Sequence, residues 1–524
     1  MEPWLRGLYD AEGMRTVDRW AIDEQGVDSL ALMEAAGRAV AEAVARLAPQ
    51  GPVRVVCGKG NNGGDGLVAA RLLRGMGFEV DALLLWPAVE LSVDAATNLE
   101  RLQAAPRDGV RTSPRYPRIS ANAEGGGEEI AALLAGSGAV VDAIFGTGFA
   151  GAPREPAAGA IEAIAGCGAP VVACDVTSGV DAATGEVAGA VVRADVTVTF
   201  HGAKVGHYVA PGKWATGELA VAPIGIPAGA PEPAAAGLID PAVLALAPRR
   251  GVHSTKFSSG QVTIAGGSRG LTGAVRMSST AAIRAGAGYA TVAVPADLEP
   301  VFEAAEVEVM SRGIGGPPGR LGTDGADEVL AAFGRAAAGV LGPGLGRDED
   351  SLALAREVAP RIEAPLVIDA DGLNAFAGRL DLLAARPAPT ILTPHAGELG
   401  RLLERSSEEI GARRLAAAKE AAAWSGAVVV LKGDDTIVTD GARVAVNAVS
   451  APGLATAGSG DVLSGMTAAL LARGLEPFAA ACAAVVAHAR AGQEAARRIG
   501  AAESVIATDV IAAIPAGLRV GEKA

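Results

Sequence analysis

The stretch Val55-Val56-Cys57-Gly58-Lys59-Gly60-Asn61-Asn62-Gly63-Gly64-Asp65-Gly66 decides how the N-terminal half is read. An apolar run of strand length meets a glycine-rich turn, and the helix-forming residues Leu67 to Arg74 follow. Glycine lets backbone amides approach a ligand closely, and a helix start favours an anion such as phosphate. Working outward, Phe78 to Leu85 reads as the next strand, and strand–helix alternation runs to about residue 224. That is the pattern of a mostly parallel sheet covered on both faces. Upstream, residues 14 to 48 read as helical, with Asp28-Ser29 opening a second helix.

The alternation restarts further along. Strands are expected at 261–265, 289–294, 338–341, 366–369, 390–392 and 427–431, and helices at 273–286, 460–473 and 477–496. Residues 436–439 and 442–447 predict a hairpin closed by the two-residue turn Asp440-Gly441. The Pro/Gly/Ser/Arg-rich residues 106 to 127 predict a long surface loop, and the Pro/Ala/Gly-rich residues 227 to 237 a linker. The expected division is a domain over 1–226, a linker over 227–250 and a second domain over 251–524.

Half of the 524 residues are apolar, enough for two large cores, while aromatics make up only 3%. The formal net charge of -14, with no Lys/Arg cluster in the sequence, argues against a nucleic-acid or anionic-membrane binder. Cys57, Cys167, Cys174 and Cys482 form no C-x-x-C pair, so neither a disulfide framework nor a zinc site is expected. The first ten residues lack the pattern of a signal peptide, and no apolar run approaches membrane-spanning length; a cytoplasmic protein is expected.

Gly58, Gly60 and Gly63 satisfy G-x-G-x-x-G, so an ordinary dinucleotide-binding dehydrogenase is one reading. Against it stand the Asn-Asn-Gly-Gly-Asp run, whose side chains exceed what pyrophosphate requires, and the helices that precede the loop. Two more polar loops follow strands: Val141-Asp142-Ala143-Ile144-Phe145-Gly146-Thr147-Gly148 and Cys174-Asp175-Val176-Thr177-Ser178-Gly179. Strand C-termini of a parallel sheet share one edge, where ligands sit. Any single aspartate there is as well read as a helix cap or turn residue; several loops together favour a site.

With Leu32-Met33-Glu34-Ala35-Ala36-Gly37 and Asp175–Gly185, these motifs resemble the NAD(P)HX epimerase family, the YjeF N-terminal domain, over residues 10 to 225. This chain has Thr177 where many members have proline, which leaves Asp175 and Ser178 in place. The resemblance implies a Rossmann-like three-layer αβα sandwich. It implies substrate contacts from Asn61, Asn62, Gly63, Gly64, Asp65, Gly146, Thr147, Gly148, Phe149, Ala150, Gly151, Ala152 and Asp175. It also implies a potassium ion on Asn62, Asp142 and Ser178, all oxygen donors, and Asp175 as the acid/base for inversion at C6 of a hydrated nicotinamide.

In the C-terminal half, Ala455-Thr456-Ala457-Gly458-Ser459-Gly460-Asp461-Val462-Leu463 leads a small-residue loop into a helix N-terminus. Its free amides can form an anion hole, and Asp461 can take the proton of an attacking hydroxyl. Asp461 is equally read as a dipole-stabilised helix-start carboxylate. In order along the chain stand Gly-Pro-Gly-Leu-Gly (342–346), Asp-Ala-Asp-Gly-Leu-Asn (369–374), Thr-Pro-His-Ala-Gly-Glu (393–398), Leu-Lys-Gly (431–433) and Gly-Ser-Gly-Asp-Val-Leu. Together they resemble the ribokinase-like ADP/ATP-dependent NAD(P)HX dehydratases over residues 250 to 515; Ala457 stands where Gly is common and Ser459 where Thr or Met is common.

This second resemblance implies a ribokinase-like αβα sandwich. Substrate contacts fall at Ala274, Gly344, His395 and Asp461, and the adenine nucleotide on Lys432, Gly433, Asp434, Asp435, Thr436 and Gly460. It implies Mg²⁺ with ADP, and phosphorylation of the 6-hydroxyl followed by loss of phosphate. The expectation is an α/β protein of two domains that repairs NADHX and NADPHX, a homo-oligomer with no nucleic-acid or membrane partner. The alternatives are a sugar or vitamin kinase of the ribokinase superfamily fused to a dinucleotide-binding domain, and a non-catalytic nucleotide-sensing or scaffold protein with degenerate sites.

Overall fold

The computed structural model describes residues 2–104, 126–232 and 236–520. The chain divides into two compact units, Gly7–Ala236 and Met1–Arg6 with Gly237–Ala524. The first residues of the chain therefore group with the C-terminal unit. Most of the segment 106–127 expected as a surface loop, and part of the 227–237 linker, lie outside the described residues.

The first unit holds a six-stranded parallel sheet of β2 (Val53–Cys57), β3 (Val80–Leu84), β4 (Ala139–Ala143), β5 (Val171–Cys174), β6 (Val196–Phe200) and β7 (Glu218–Ala222). The order is β3-β2-β4-β5-β6-β7, so the chain reverses direction beside β2 and β4 and opens a crevice at their C-terminal ends. Helices Ser29–Arg46 and Asn61–Gly75 cover one face and Gly126–Leu134 and Ala157–Ala165 the other. The Asp28 side chain accepts the Leu30 amide at 3.2 Å and starts the first of these helices.

One boundary moves. The helix expected from Leu67 begins at Asn61, so the glycine run is helical rather than loop. The reason is packing: a Cβ on Gly63 would lie 2.0 Å from the Gly58 carbonyl oxygen. The glycines let the helix start press onto the strand end.

The second unit is built on an eleven-stranded sheet, order β1-β8-β17-β16-β15-β14-β13-β12-β9-β10-β11. Its strands are β1 (Leu5–Gly7), β8 (Ala236–Ile239), β9 (Gln261–Ala265), β10 (Tyr289–Pro295), β11 (Val309–Ile314), β12 (Ala338–Leu341), β13 (Leu366–Ile368), β14 (Thr390–Leu392), β15 (Val428–Leu431), β16 (Ile437–Thr439) and β17 (Val444–Val446). Strands β9 to β15 pair in parallel, and β15–β16–β17 are antiparallel.

The hairpin register pairs Thr439 with Val444, so the turn has four residues, not the expected two. Asp440 accordingly caps the amides of Ala442 and Arg443 at 3.1 and 2.7 Å. Helices Thr272–Arg284, Ser459–Ala472, Pro477–Ile499 and Ala507–Gly517 bury an alanine-rich core on one face. Trp4 enters that core, 6% exposed, with its ring 6.0 Å from Phe478. No helix among the described residues is long and apolar enough to cross a membrane.

Candidate functional site

In the first unit a cavity of about 680 Å³ opens at the C-terminal edge of the sheet. Asn61, Asn62, Asp65, Gly146, Thr147, Gly148, Phe149, Ala150 and Asp175 line it. Gly63 and Gly64 instead pack against Gly58 and Met33, and Gly151 and Ala152 lie outside its wall. Trp86, Phe145 and Phe149 form an aromatic side of the cavity; the two phenylalanine rings stack at 4.5 Å.

Asp175 follows β5 with φ +65°, a left-handed conformation costly for a residue with a Cβ, and is 8% exposed. Four side-chain bonds hold it. Oδ1 accepts from Lys204 Nζ at 2.5 Å and Thr199 Oγ1 at 3.1 Å; Oδ2 accepts from the Thr147 amide at 3.0 Å and from the Thr147 hydroxyl. Burial pushes the carboxyl up, but the Lys204 charge and these bonds outweigh it and hold it at about 2.

Lys204 is fully buried, and its ammonium also donates to Thr199 Oγ1 and the Phe200 carbonyl. His207 Nε2 donates to the Asp175 carbonyl at 3.0 Å while Nδ1 accepts the Lys204 amide at 3.1 Å. Burial, then the Lys204 charge, lowers His207 to about 4, so the ring is neutral. Asp65 has the opposite environment: burial first, then the charges of Asp175 and Asp18, push its carboxyl well above the usual range.

Lys204, Thr199, His207 and Asp18 were missed by the sequence reading. The loop after β6 must reach the same edge, because β6 is a strand of the same sheet, but no local motif marks which of its residues enter the site.

Asp142 is completely buried behind this cavity. Its carboxylate accepts from the Ser178 hydroxyl at 2.6 Å, the Ser178 amide at 2.8 Å and the Ile144 amide at 3.3 Å. Burial still raises it to about 6 against these bonds. The Asn62 amide nitrogen and oxygen are buried without a hydrogen-bond partner. A buried carboxylate near the neutral range and an orphaned amide oxygen suit an oxygen-loving monovalent cation.

In the second unit the segments after β13, β14 and β15 and the start of helix Ser459–Ala472 gather a charged cluster. Lys432, after β15, donates to Asp369 Oδ1 at 3.0 Å and lies 3.7 Å from Glu398. Burial would lower Lys432, but the Asp369 and Glu398 charges hold it above the usual range. Asp461 stands in the first turn of helix Ser459–Ala472. Burial first, then the Asp369 charge, raises its carboxyl to about 7 against the pull of Lys432. A carboxyl poised there can accept a proton near neutral pH.

A Cβ on Gly344 would meet the Ala274 side chain at 3.2 Å, so these two expected contacts face each other. His395 caps helix Ala396–Leu402: Nδ1 accepts the Gly397 and Glu398 amides at 3.0 and 3.3 Å, and Glu398 accepts the His395 amide in return. Burial, the largest influence, lowers its pKa, and with Nδ1 occupied as an acceptor the hydrogen sits on Nε2, 3.5 Å from Glu398 Oε1. Beside the cluster lies a cavity of about 480 Å³, lined by Lys432, Gly433, Asp434, Thr436 and Gly460. Asp435 turns inward and pairs with Arg414 at 2.8 Å. His488 also lines the cavity, its Nε2 buried without a partner.

Comparisons with known proteins follow this division. A family model described as YjeF-related protein N-terminus matches residues 29–206, and one described as NAD(P)H-hydrate dehydratase matches 262–516. The chain is 40% identical over 527 residues to the bifunctional NAD(P)H-hydrate repair enzyme Nnr of Moorella thermoacetica, covering 98% of this chain and 96% of that one. It is 39% identical over 539 residues to the enzyme of the same name from Salinibacter ruber, covering 98% and 97%. A crystal structure of the ADP/ATP-dependent NAD(P)H-hydrate dehydratase from Bacillus subtilis, co-crystallized with ATP/Mg²⁺, is 28% identical. It covers 52% of this chain and 94% of its own, with a TM-score of 0.46.

Proposed function

This chain belongs to the bifunctional NAD(P)H-hydrate repair enzymes, and we propose how its two sites divide the work. It is an epimerase and a dehydratase of hydrated NAD(P)H. Hydration leaves two epimers at C6, and a stereospecific dehydratase accepts one, so an epimerase on the same chain supplies the other.

Inversion at C6 requires a bond to that carbon to break and re-form, with a proton moving at the C6 hydroxyl. The aromatic wall of Trp86, Phe145 and Phe149 offers an apolar face to the hydrated nicotinamide ring. Asp175, ionised throughout the neutral range, accepts the hydroxyl proton, with Lys204 holding its geometry. As the C6–N1 bond opens to leave an aldehyde at C6, Asp65, whose carboxyl stays protonated far more readily, gives its proton to the ring nitrogen, and both protons return when the bond closes on the other face. Two carboxyls whose surroundings push them apart fit base and acid. Asn62, Asp142 and Ser178 would hold potassium, which would compensate the buried Asp142 charge.

In the dehydratase, Asp461 takes the proton of the 6-hydroxyl as that oxygen attacks the terminal phosphorus of ADP, releasing AMP. The ring nitrogen then expels phosphate, and loss of the C5 proton restores the dihydronicotinamide. Ala274, Gly344 and His395 contact the substrate, and Lys432, Gly433, Asp434, Thr436 and Gly460 the nucleotide. Three carboxylates (Asp369, Glu398 and Asp461) act on Lys432, an excess of negative charge that fits an added divalent cation. Asp369 and Glu398 offer it oxygens, and Mg²⁺ would neutralise nucleotide phosphate charge there.

The observation that carries this reading is Asp461 at about 7, at a helix start beside Lys432. The test is incubation of the full chain with S-NADHX and ADP or ATP, following reduced cofactor and AMP. ADP should give one AMP per NADH. A phosphorylated product that accumulates without NADH would instead indicate a kinase.

A further inference from the structure

A third cavity, of about 660 Å³, lies in the second unit and shares no residue with the nucleotide cavity. Arg249, Arg473, Arg490 and Arg519 line it, with an apolar edge that includes Pro515 and Leu518, and among the described residues no acidic one contributes to its wall. This is a concentration of positive charge in a chain whose formal net charge is -14. None of the four arginines makes an ion pair among the described residues.

Structural duties explain only part of this set. Arg473 is the C-cap of helix Ser459–Ala472, where a cation suits the dipole, and donates to the carbonyls of Ala285 and Pro248. Arg490 donates once, to the Arg519 carbonyl at 2.8 Å. A guanidinium carries five N–H donors, so most of this donor capacity is left over. Arg249 and Arg519 are exposed, and their side chains have no such duty among the described residues. Burial, then the charge of neighbouring Arg250, lowers the pKa of Arg473, as expected where positive charge is crowded.

We propose that this cavity is a second anion site, which binds a polyphosphate-bearing ligand. Several forked guanidiniums without carboxylates match phosphate oxygens better than a single carboxylate, and the volume admits a nucleotide-sized molecule. The site lies at the far end of helix Ser459–Ala472 from Asp461. Fourteen residues put the two ends about 21 Å apart, too far for one ligand to serve as both substrate and occupant.

The test uses the full chain carrying Asp461→Asn, so that no turnover occurs, and inorganic tripolyphosphate as the probe in titration calorimetry. The catalytic cavity is first saturated with AMP. The proposal expects one residual tripolyphosphate site, weakened at least tenfold by the further exchange Arg249→Gln/Arg519→Gln. The same double exchange in the parent chain should leave dehydration unchanged in the absence of polyphosphate. ATP binding there at least tenfold tighter than tripolyphosphate would mean that the apolar edge takes a base; equal affinities would mean bare polyphosphate is the ligand. No residual site, or a residual site unaffected by the double exchange, overturns the proposal. Because binding is read on a chain that cannot dehydrate, the result is independent of the catalytic assignment.

Discussion

Asp175 and Asp461 show how surroundings give one side chain opposite properties. Lys204 and Thr147 hold Asp175 at about 2, whereas Asp461, buried beside Asp369, rises to about 7. A base works only when deprotonated, so dehydration kcat/KM should fall about tenfold per pH unit below about 7 and level off above it. A profile flat from pH 6 to pH 8 would remove Asp461 as the base. Lys204→Met leaves the Asp175 carboxylate buried without its ammonium. Denaturant melts of the first unit should show a loss of about 3–5 kcal/mol, accompanied by loss of epimerisation. Asp175 and Asp461 were legible because each sits in a short motif after a strand. Lys204 was not, since a lone lysine after a Phe-His-Gly-Ala run carries no local signal. Only the three-dimensional approach to Asp175, 29 residues away along the chain, makes it part of the site.

At the scale of elements, the glycine run after β2 works through closeness. Gly63→Ala would put a methyl group 2.0 Å from the Gly58 carbonyl oxygen, forcing the start of helix Asn61–Gly75 off the strand end. The expected cost is about 1–3 kcal/mol or more. Epimerisation should fall with it, while dehydration of the S hydrate stays at the parental rate; coupled assays of both activities check this. The sequence reading placed this strand–helix unit but began the helix at Leu67, because glycine is a poor helix former when tertiary packing is ignored. Strands β9, β12 and β14 were read to the residue because they are short, apolar and bounded by turn residues. Strand β11 (Val309–Ile314) was missed: its half-buried Val-Met-Ser-Arg-Gly-Ile pattern lacks a continuous apolar run.

For the whole molecule, the consequential feature is that residues 1–6 group with the C-terminal unit. An N-terminal strand joining the second sheet has no local signature in the sequence, because the pairing spans more than 200 residues. Trp4→Ala should therefore destabilise the dehydratase unit by about 3–5 kcal/mol, seen as faster thermal loss of dehydration with epimerisation preserved. The central claim is that two separate sites on one chain act in sequence on the same damaged coenzyme. The direct measurement is recovery of NADH from an equal mixture of R- and S-NADHX with ADP, compared among the parent, Asp175→Asn and Asp461→Asn. The parent should recover both halves at enzymatic rates, and Asp175→Asn the S half quickly and the R half only at the uncatalysed epimerisation rate. Asp461→Asn should recover neither while still interconverting the epimers. R-hydrate recovery by Asp175→Asn at the parental rate, or continued dehydration by Asp461→Asn, would contradict the account.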